Sequence, residues 1–322
     1  MPRLSRPRHS SLQYWPRKRA RKVLPRVNWN AIASKEGNKD KKLLGFIGYK
    51  VGMASVYVRD QTPNSMTKEK RITIPCTLIE LPPMKVYSMR FYKHNKVAGE
   101  VLAENLDKEL KKKVKLPKNK KKAEEINTSD YEKITLIAYS IVKKTGIKRK
   151  PDMLEIGLGG NTSEQYTTAK ELLGKEINAS EFLKDYELVD IRGITTGRGL
   201  SGPVKRHGIE LKSHKSEKGV RRPGSLAPWH PPRVTFHAPQ AGQLGMFTRV
   251  TYNNKIVLLD KIEKNNINPK AGFKNYGTIR TEYLVLRGSI QGPSKRAMAI
   301  CAPLRKTKKQ LKKKYEFIEI RQ

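Results

Sequence analysis

The chain has 322 residues, with 68 Lys and Arg against 29 Asp and Glu and a formal net charge of +39 at pH 7. A free protein with this imbalance would repel itself strongly, so the composition indicates a surface built against nucleic-acid phosphates. It disfavours a peripheral membrane protein, whose charge is concentrated on one amphipathic helix or beside a lipid anchor, because here basic residues extend over both termini and a central segment.

Residues 1–42 form a basic N-terminal extension with no acidic residue before Glu36. Such a segment has too little apolar surface for a core of its own, so we expect nucleic acid to order it. Tyr14, Trp15 and Trp29 offer flat rings for base stacking. A disordered tail that only adds affinity is the alternative. The candidate RNA-binding residues of the N-terminal extension are Arg3, Arg6, Arg8, Trp15, Arg17, Lys18, Arg19, Arg21 and Lys22.

Residues 43–98 contain short apolar runs broken by Gly and Pro, which are typical of strands. The run LLGFIGYKVGMASVYV predicts two strands joined around Gly48 and Gly52, and ITIPCTLIEL and KVYSMRFY predict two more. Apolar residues alternate at Ile72 and Ile74, as in a sheet with one buried face. We interpret this section as the first part of a β-barrel.

Residues 99–186 have a different character. VLAENLDKELKKKVK and SEQYTTAKELLGKEI have helical spacing of Leu and Ala, and a further helix is predicted to begin at Asn178, with Glu181 placed as in a capping box. EKITLIAYSIV and MLEIGL predict strands. Most acidic residues of the chain fall here, so we predict an inserted α+β domain that projects away from the nucleic acid.

Residues 187–300 return to strand-like runs and contain the second part of the barrel. Asn253 and Asn254 predict a two-residue hairpin, because Asn tolerates positive φ. Short strands on both sides of an insertion indicate that the sheet closes into a barrel. The predicted fold is therefore mainly β with an α+β insertion: a closed β-barrel with a long basic loop and basic terminal extensions. Residues 301–322 are the basic C-terminal tail.

Residues 193–250 form the long basic loop, in which the only acidic residues are Glu210 and Glu217. Loops beyond about 15 residues without secondary structure are usually functional or disordered. Because its cations repel one another, we expect a polyanion to order it. Trp229 stands among prolines that stiffen the backbone. The candidate RNA-binding residues of the loop are Lys205, Arg206, His207, Lys218, Arg221, Arg222, Trp229, His230 and Arg233.

The glycines of GRGLSGPV match both a dinucleotide-binding turn and a kinase phosphate loop. A dinucleotide site needs a helix that begins at these glycines, whereas Pro203 and Gly208 follow and no βαβ unit is apparent. A kinase also needs HRD and DFG sequences, and the chain has neither. We expect the glycines to permit close approach of backbone to backbone or to RNA.

Other site chemistry is equally poorly supported. Cys76 and Cys301 are far apart in apolar sequence, which predicts buried thiols in a reducing compartment. The loop histidines have no acid or Cys at metal-ligand spacing, and either RNA contact or plain solvent exposure would account for them. The start of the chain has no signal-peptide core, and no apolar run is long enough to span a bilayer. We expect no enzymatic activity, no cofactor, no metal and no membrane.

Several runs resemble the universal large-subunit ribosomal protein three family. They are VKRHGI, KGVRRPGSLAPWHPPRV, AGQLG, TYNNKIV, IGYKVGM and LPPMKVYSMRFY, in the family's order and over nearly the whole chain. PWHP at residues 228–231 is similar to the archaeal and eukaryotic branch, and the chain length favours an archaeal source.

This resemblance implies a translation-factor-like β-barrel with extensions lying among rRNA helices. It implies binding to large-subunit rRNA near its 3′ end, early in ribosome assembly, beside neighbouring large-subunit ribosomal proteins in cytoplasmic ribosomes. The family's loop reaches towards the peptidyl transferase centre, so Trp229 is expected at its tip, near the path of incoming aminoacyl-tRNA. Its expected anchors are Arg221, Arg222, His230 and Arg233.

Two other classes of protein share part of this pattern. A sequence-specific DNA-binding protein would share the charge, but it should show a recognition helix or dimerising element, and the most basic stretches here are loops and arms. An RNA-modifying enzyme would share the RNA affinity, but it needs a pocket with convergent polar groups, which the sequence does not display.

Overall fold

A computed structural model describes residues 15–39, 41–117, 131–184 and 186–321. Arg3, Arg6 and Arg8, which the sequence predicts to bind RNA, lie outside these ranges. The chain divides into two compact units, one comprising Met1–Lys22 and Ile194–Thr248, the other comprising Val23–Gly193 and Arg249–Gln322. We call the first the basic unit and the second the body.

The described chain is mainly β, as predicted. Its strands are β1 (Gly45–Asp60), β2 (Arg71–Leu81), β3 (Met84–Lys93), β4 (Lys96–Leu102), β5 (Lys133–Ser140), β6 (Met153–Gly157), β7 (Glu176–Ile177), β8 (Leu188–Ile194), β9 (Gly199–Ser201), β10 (Gly242–Leu244), β11 (Thr248–Lys261), β12 (Glu282–Arg287), β13 (Ala297–Cys301) and β14 (Tyr315–Ile320). Its α-helices are α1 (Trp29–Ala33), α2 (Glu36–Lys39), α3 (Thr162–Leu172), α4 (Ala179–Leu183), α5 (Pro203–His207) and α6 (Lys308–Leu311). The segments Lys108–Lys112 and Val142–Lys144 are 3-10 turns.

Seven strands of the body form one sheet in the order β13-β8-β11-β12-β2-β1-β14, and β13 pairs also with β1. The long strand β1 makes this possible, because different parts of it pair with different neighbours. Gly45 to Tyr49 lie opposite β13, and Val56 to Asp60 lie opposite β14. β2 runs antiparallel along the other edge of β1. β1 is therefore the strand on which the sheet is assembled.

The two strands predicted around Gly48 and Gly52 are in fact this single strand, with a register shift between Lys50 and Gly52. Gly48 is required by packing and not by a turn: a Cβ there would lie 2.7 Å from Cγ2 of Ile79 and 2.9 Å from Cδ2 of Leu81. Glycine spacing indicated a chain reversal, whereas pairing on both edges of β1 keeps the strand continuous.

A second sheet of the body has the order β4-β3-β5-β6, and β7 pairs with β3. The sequence assigned β3 to the barrel, but it pairs with β4 and β5, and the boundary drawn at residue 98 falls inside β4. The helix predicted in VLAENLDKELKKKVK is replaced by the end of β4 and a 3-10 turn. Val101 lies opposite Met89, and Leu110 of the turn is buried, so cross-strand pairing overrides the helical spacing.

The other two helices of this section form as predicted. α3 begins after Asn161, whose backbone N–H donates to Oε2 of Glu164 over 3.1 Å. α4 begins after Asn178, as its capping pattern predicted, but has only five residues.

The predicted hairpin at Asn253 and Asn254 does not exist, because β11 runs straight through both residues. Asn253 does adopt a positive φ of 55°, which Asn tolerates. Its N–H donates to Oδ1 of Asp190 over 2.8 Å, and Nδ2 of Asn254 donates to the carbonyl of Val189 over 3.1 Å. The pair thus fixes β11 to β8, and the positive φ makes a local irregularity instead of a reversal.

Trp29, expected to stack on RNA bases, is instead a core residue of the body, with 4% of its surface exposed. Its indole fits where two glycines have no side chain: a Cβ on Gly45 would lie 2.4 Å from Cη2, and one on Gly157 would lie 2.6 Å from Cβ of Trp29. Its Nε1 donates to the carbonyl of Glu155 over 2.8 Å. The N-terminal extension is therefore divided, since residues from Val23 onward belong to the body.

The last part of the C-terminal segment is a strand, β14, antiparallel to β1. Apolar Tyr315 and Phe317 pack against the core, while Glu319 pairs with Arg71. The free cysteines Cys76 and Cys301 are buried, as predicted. Burial raises the pKa of each thiol to about 12, so both stay protonated.

Candidate nucleic-acid interface

The basic unit brings the described part of the N-terminal arm, residues 15–22, together with the loop Ile194–Thr248. The sequence predicted both segments as RNA-binding but gave no sign that they belong together. A short ladder closes the base of the loop, where Gly199, Leu200 and Ser201 of β9 lie opposite Leu244, Gln243 and Gly242 of β10.

Gly245 makes this base possible. It has a φ of +76°, and a Cβ there would lie 2.0 Å from the carbonyl oxygen of Thr196. Only glycine combines that backbone conformation with so close an approach. The N–H of Thr195 donates to the carbonyl of Phe247 over 3.0 Å, which continues the pairing below the ladder.

A ring cluster holds the arm against the loop. The ring of Trp15 stacks on His207 at a centroid distance of 6.0 Å and an interplanar angle of 19°. Its edge contacts are with His237 at 5.1 Å and Phe236 at 6.0 Å. The guanidinium of Arg17 lies 5.2 Å from the centre of the Trp15 ring, within the range of a cation–π contact. Trp15 therefore joins two parts of the loop that are about thirty positions apart in the sequence.

Backbone contacts strengthen this attachment. The N–H of Ala20 donates to the carbonyl of Met246 over 2.8 Å, and Arg17 donates to the carbonyl of Arg206 over 2.7 Å. The side chain of Arg206 in turn donates to the carbonyls of Gln243, over 3.1 Å, and Gln240, over 3.0 Å. Arg17 and Arg206, both predicted to bind RNA, thus spend donors on protein carbonyls and shape the unit.

His207 also contributes to the structure of the basic unit more than to its positive charge. Burial, Arg17 and Arg206 all lower the pKa of His207, so its ring is neutral at pH 7. It is the last residue of α5, a helix that begins at Pro203 and is followed by Gly208, where φ is +67°. A helix therefore does begin after the loop glycines, contrary to the expectation from Pro203. It has only five residues, because Gly208 adopts the left-handed conformation that ends helices.

Beyond α5, residues 208–241 have no helix or strand. We call this stretch the distal loop. Its internal bonds are few, such as the one from the N–H of Lys212 to the carbonyl of Val220 over 3.0 Å. Predicted RNA-binding side chains of this stretch are all exposed: Lys218, Arg221, Arg222, Trp229, His230 and Arg233. Lys205 of α5 is exposed as well.

Positive charge on the distal loop is not offset locally. Among the described residues, no carboxylate lies within ion-pair distance of a cation of residues 205–241. Lys18, Arg19, Arg21 and Lys22 of the arm are also exposed. The basic unit therefore presents two neighbouring cationic segments, which favours a polyanionic ligand.

Trp229 has 89% of its surface accessible, and the ring of His230 lies 6.2 Å from it. Sequence reasoning missed Phe236, which is 72% exposed although it also contacts Trp15. The available signal was an aromatic pair, Phe236 and His237, inside a basic loop. Exposed rings among cations are the combination that stacks on unpaired bases.

Among the described residues, no group of three His, Cys, Asp or Glu side chains is arranged to hold a metal ion. No helix in the described ranges has the length and apolar character needed to cross a membrane.

Comparison with known proteins identifies the family of the chain. The family model for ribosomal protein L3 matches residues 1–321. The large ribosomal subunit protein uL3 of Methanobrevibacter smithii is 40% identical over 324 aligned residues, covering 96% of this chain and 95% of the relative. Those of Methanothrix harundinacea and Methanocaldococcus jannaschii are each 38% identical, covering 95% and 94% of this chain and 93% and 92% of the relatives. The resemblance found in the sequence is confirmed, and the chain belongs to the ribosomal protein L3 family.

Proposed function

We propose that this chain is a structural component of the large ribosomal subunit that binds rRNA through its basic unit. Membership of the ribosomal protein L3 family makes it a ribosomal constituent and not an enzyme. Its partners are large-subunit rRNA and neighbouring large-subunit proteins, in the ribosomes of the cytoplasm. The archaeal relatives support the archaeal source that the sequence favoured.

The observation behind this proposal is the unbalanced charge of the distal loop. Its exposed cations have no described carboxylate partner, and the loop has no helix or strand of its own to hold it. Ordering such a segment costs conformational entropy and brings like charges together. Phosphates placed between the cations would offset both costs, and they would release counterions on binding. rRNA supplies phosphates at the required density.

The candidate residues divide into two groups by what they contact. Trp15, Arg17, Arg206 and His207 build the frame of the basic unit, because their rings and donors face other protein groups. The remaining described candidates face solvent and would contact rRNA directly: Lys18, Arg19, Arg21, Lys22, Lys205, Lys218, Arg221, Arg222, Trp229, His230 and Arg233. Arg3, Arg6 and Arg8 are proposed for the same role from sequence alone.

Trp229 is proposed to lie near the peptidyl transferase centre, beside the path of incoming aminoacyl-tRNA. Its high exposure and its place in the distal loop support a contact made only inside the ribosome. Trp229→Ala should leave the protein folded and assembled, while altering aminoacyl-tRNA accommodation in purified ribosomes. Unchanged accommodation kinetics would contradict this role.

The body is proposed to be a translation-factor-like closed barrel that anchors the basic unit. Support comes from the strand order β13-β8-β11-β12-β2-β1, in which β1 pairs with its neighbour β2 and also with β13 at the other end of the row. Pairing between the first and last strands of a row is what closes a sheet into a barrel. We also propose that β3 to β7 and their helices form the inserted α+β section, with its start moved to β3.

Co-sedimentation tests the function directly. Purified protein should sediment with large ribosomal subunits lacking it at moderate salt, and the logarithm of its affinity for large-subunit rRNA should fall linearly with the logarithm of salt concentration. Equal affinity for duplex DNA would favour a DNA-binding protein. Release of a modified nucleotide product would favour an RNA-modifying enzyme.

A further inference from the structure

Residues 305–314, which we call the C-terminal basic segment, contain seven cations and no acidic residue. They lie in the body, apart in sequence from the arm and the loop. The cations are Arg305, Lys306, Lys308, Lys309, Lys312, Lys313 and Lys314. All except Lys313 are exposed, and Lys313 is half-buried.

This segment is held in place at both ends. Before it, the N–H of Leu304 donates to Oδ2 of Asp190 over 2.9 Å. At its end, the carbonyl of Lys314 accepts from the N–H of Gln61 over 3.0 Å, and the N–H of Lys314 donates to Oγ1 of Thr62 over 3.2 Å. Between these points lies α6. The cations are therefore displayed on a folded segment and not on a free tail.

The fold brings like charges together at one point. Lys309 and Lys313 are four residues apart in the sequence. Arg287 at the end of β12 has its guanidinium 5.3 Å from the centre of the ring of Tyr315, two residues after Lys313, and its charge acts on Lys313. Burial, together with the charges of Arg287 and Lys309, lowers the pKa of Lys313. The repulsion among these three cations destabilises the free protein, and a bound anion would remove that repulsion.

Asp60 is the carboxylate whose charge acts on Lys313, but its oxygens are already used. It accepts from the N–H of Thr62 over 2.9 Å, from Oγ of Ser65 over 2.8 Å and from Oγ1 of Thr67 over 2.6 Å. Within the described ranges, no carboxylate forms an ion pair with residues 305–314. The charge of the segment is therefore left for a ligand.

The chemistry of the segment distinguishes among ligands. It contains no aromatic ring, and its one large apolar residue, Leu311, is half-buried. Without rings it cannot stack on unpaired bases, and without exposed apolar anchors it lacks what protein interfaces use at their centres. Lysine ammonium groups are compact point charges suited to phosphate oxygens.

We propose that the C-terminal basic segment, with Arg287, is a second RNA-binding surface that contacts the phosphate backbone of an rRNA helix. It is separate from the basic unit, whose exposed rings suit unpaired bases. The inference rests on the proposed function, because it takes rRNA as the ligand.

The test compares two triple variants of the full chain. Lys309, Lys312 and Lys313 are changed to Gln in the first, and Lys111, Lys112 and Lys113 to Gln in the control. Both lose three charges from the body, and the control lysines are exposed at the end of the 3-10 turn Lys108–Lys112 and directly after it. Filter binding to a large-subunit rRNA transcript over a series of salt concentrations gives the slope of log affinity against log salt.

If each lysine contacts one phosphate, the slope of the first variant should fall by about 2–3 relative to the wild type, and that of the control by much less. Changing the same three lysines to Arg should restore the wild-type slope. The first variant should also unfold at a temperature no lower than the wild type, since substitution relieves repulsion. Should it unfold earlier, the single variant Lys313→Gln, with a slope loss of about 1, replaces it.

Equal slopes for the two triple variants would overturn the inference, because net charge alone would then explain the binding. An unchanged slope in the first variant would also overturn it, and would point to an acidic protein partner. In both cases wild-type binding leaves the proposed function intact. Failure of the wild type to bind the transcript would overturn both proposals.

Discussion

Replacing Trp29 by Ala tests whether this residue is part of the core of the body. Its surface is 4% exposed, its ring fills the space left by Gly45 and Gly157, and its Nε1 donates to the carbonyl of Glu155. Removal of a buried Trp ring typically costs about 3–5 kcal/mol, from lost burial and the cavity that remains. The carbonyl of Glu155 would also lose its partner, which puts the expected loss in the upper part of that range.

Urea denaturation of the full chain, followed by far-UV circular dichroism, measures this loss. Trp229→Ala is the matched control, because it removes the same ring from a site that is 89% exposed, and exposed substitutions usually change stability by less than about 0.5 kcal/mol. Gly157→Ala is an independent check, since its Cβ would lie 2.6 Å from Cβ of Trp29 and overpack the site. A loss below about 1 kcal/mol for Trp29→Ala would refute the placement of this ring and restore the RNA-stacking interpretation.

Other predictions concern the β1–β2 connection and the basic unit. Burial opposes ionisation of Asp60, but hydrogen bonds from Thr62, Thr67 and Ser65 hold its pKa well below the usual range. The stability that the ionised carboxylate contributes is therefore fully present above about pH 4 and is lost as pH falls. Asp60→Asn should therefore destabilise the protein by about 1–3 kcal/mol at pH 7 and by clearly less at pH 2.5, as measured by urea denaturation; an equal loss at both pH values would contradict this. Gly245→Ala should lower rRNA affinity while the main unfolding transition of the body stays unchanged, and wild-type affinity would show that the base of the loop does not require glycine at this position. Deletion of residues 1–22 should weaken rRNA binding with little effect on thermal unfolding, whereas a large drop in melting temperature would assign the arm to the body. Amide exchange in the free protein should be slower in Gly242–Leu244 than in residues 208–241, and uniform protection would show that the distal loop needs no RNA to become ordered.

The sequence pattern predicted the structure correctly wherever the local chemistry of the residues decides it. Apolar runs located β2, β5, β6, β8, β12 and β13, the spacing of Leu and Ala located α3, and a capping pattern located the start of α4. Apolar context likewise predicted the buried thiols of Cys76 and Cys301. Charge and ring content located the basic loop with its exposed Trp229, because these properties belong to the residues themselves and not to their partners.

The errors have a common physical origin, which is that distant residues decide the outcome. Gly48 looks like a turn until Ile79 is known to pack against it, and Asn253 looks like a hairpin until Asp190 is known to accept from its N–H. Trp29 looks like an RNA contact until the slot between Gly45 and Gly157 is known. A residue suited to two environments takes the one that the rest of the fold provides, and no local spacing reports that.

The basic unit combines both kinds of information. Its distal loop has what composition alone predicts: exposed cations, exposed rings and no helix or strand of its own. Its base is built from contacts that composition cannot show, with Trp15 stacked on His207 and Ala20 bonded to Met246. A protein-built base fixes where the distal loop starts and ends, which lowers the entropy that RNA must offset to order what lies between. Under the proposed function, RNA has to shape only residues 208–241. This division agrees with the donors of Arg17 and Arg206, which face protein carbonyls, and with the distal cations, which face solvent.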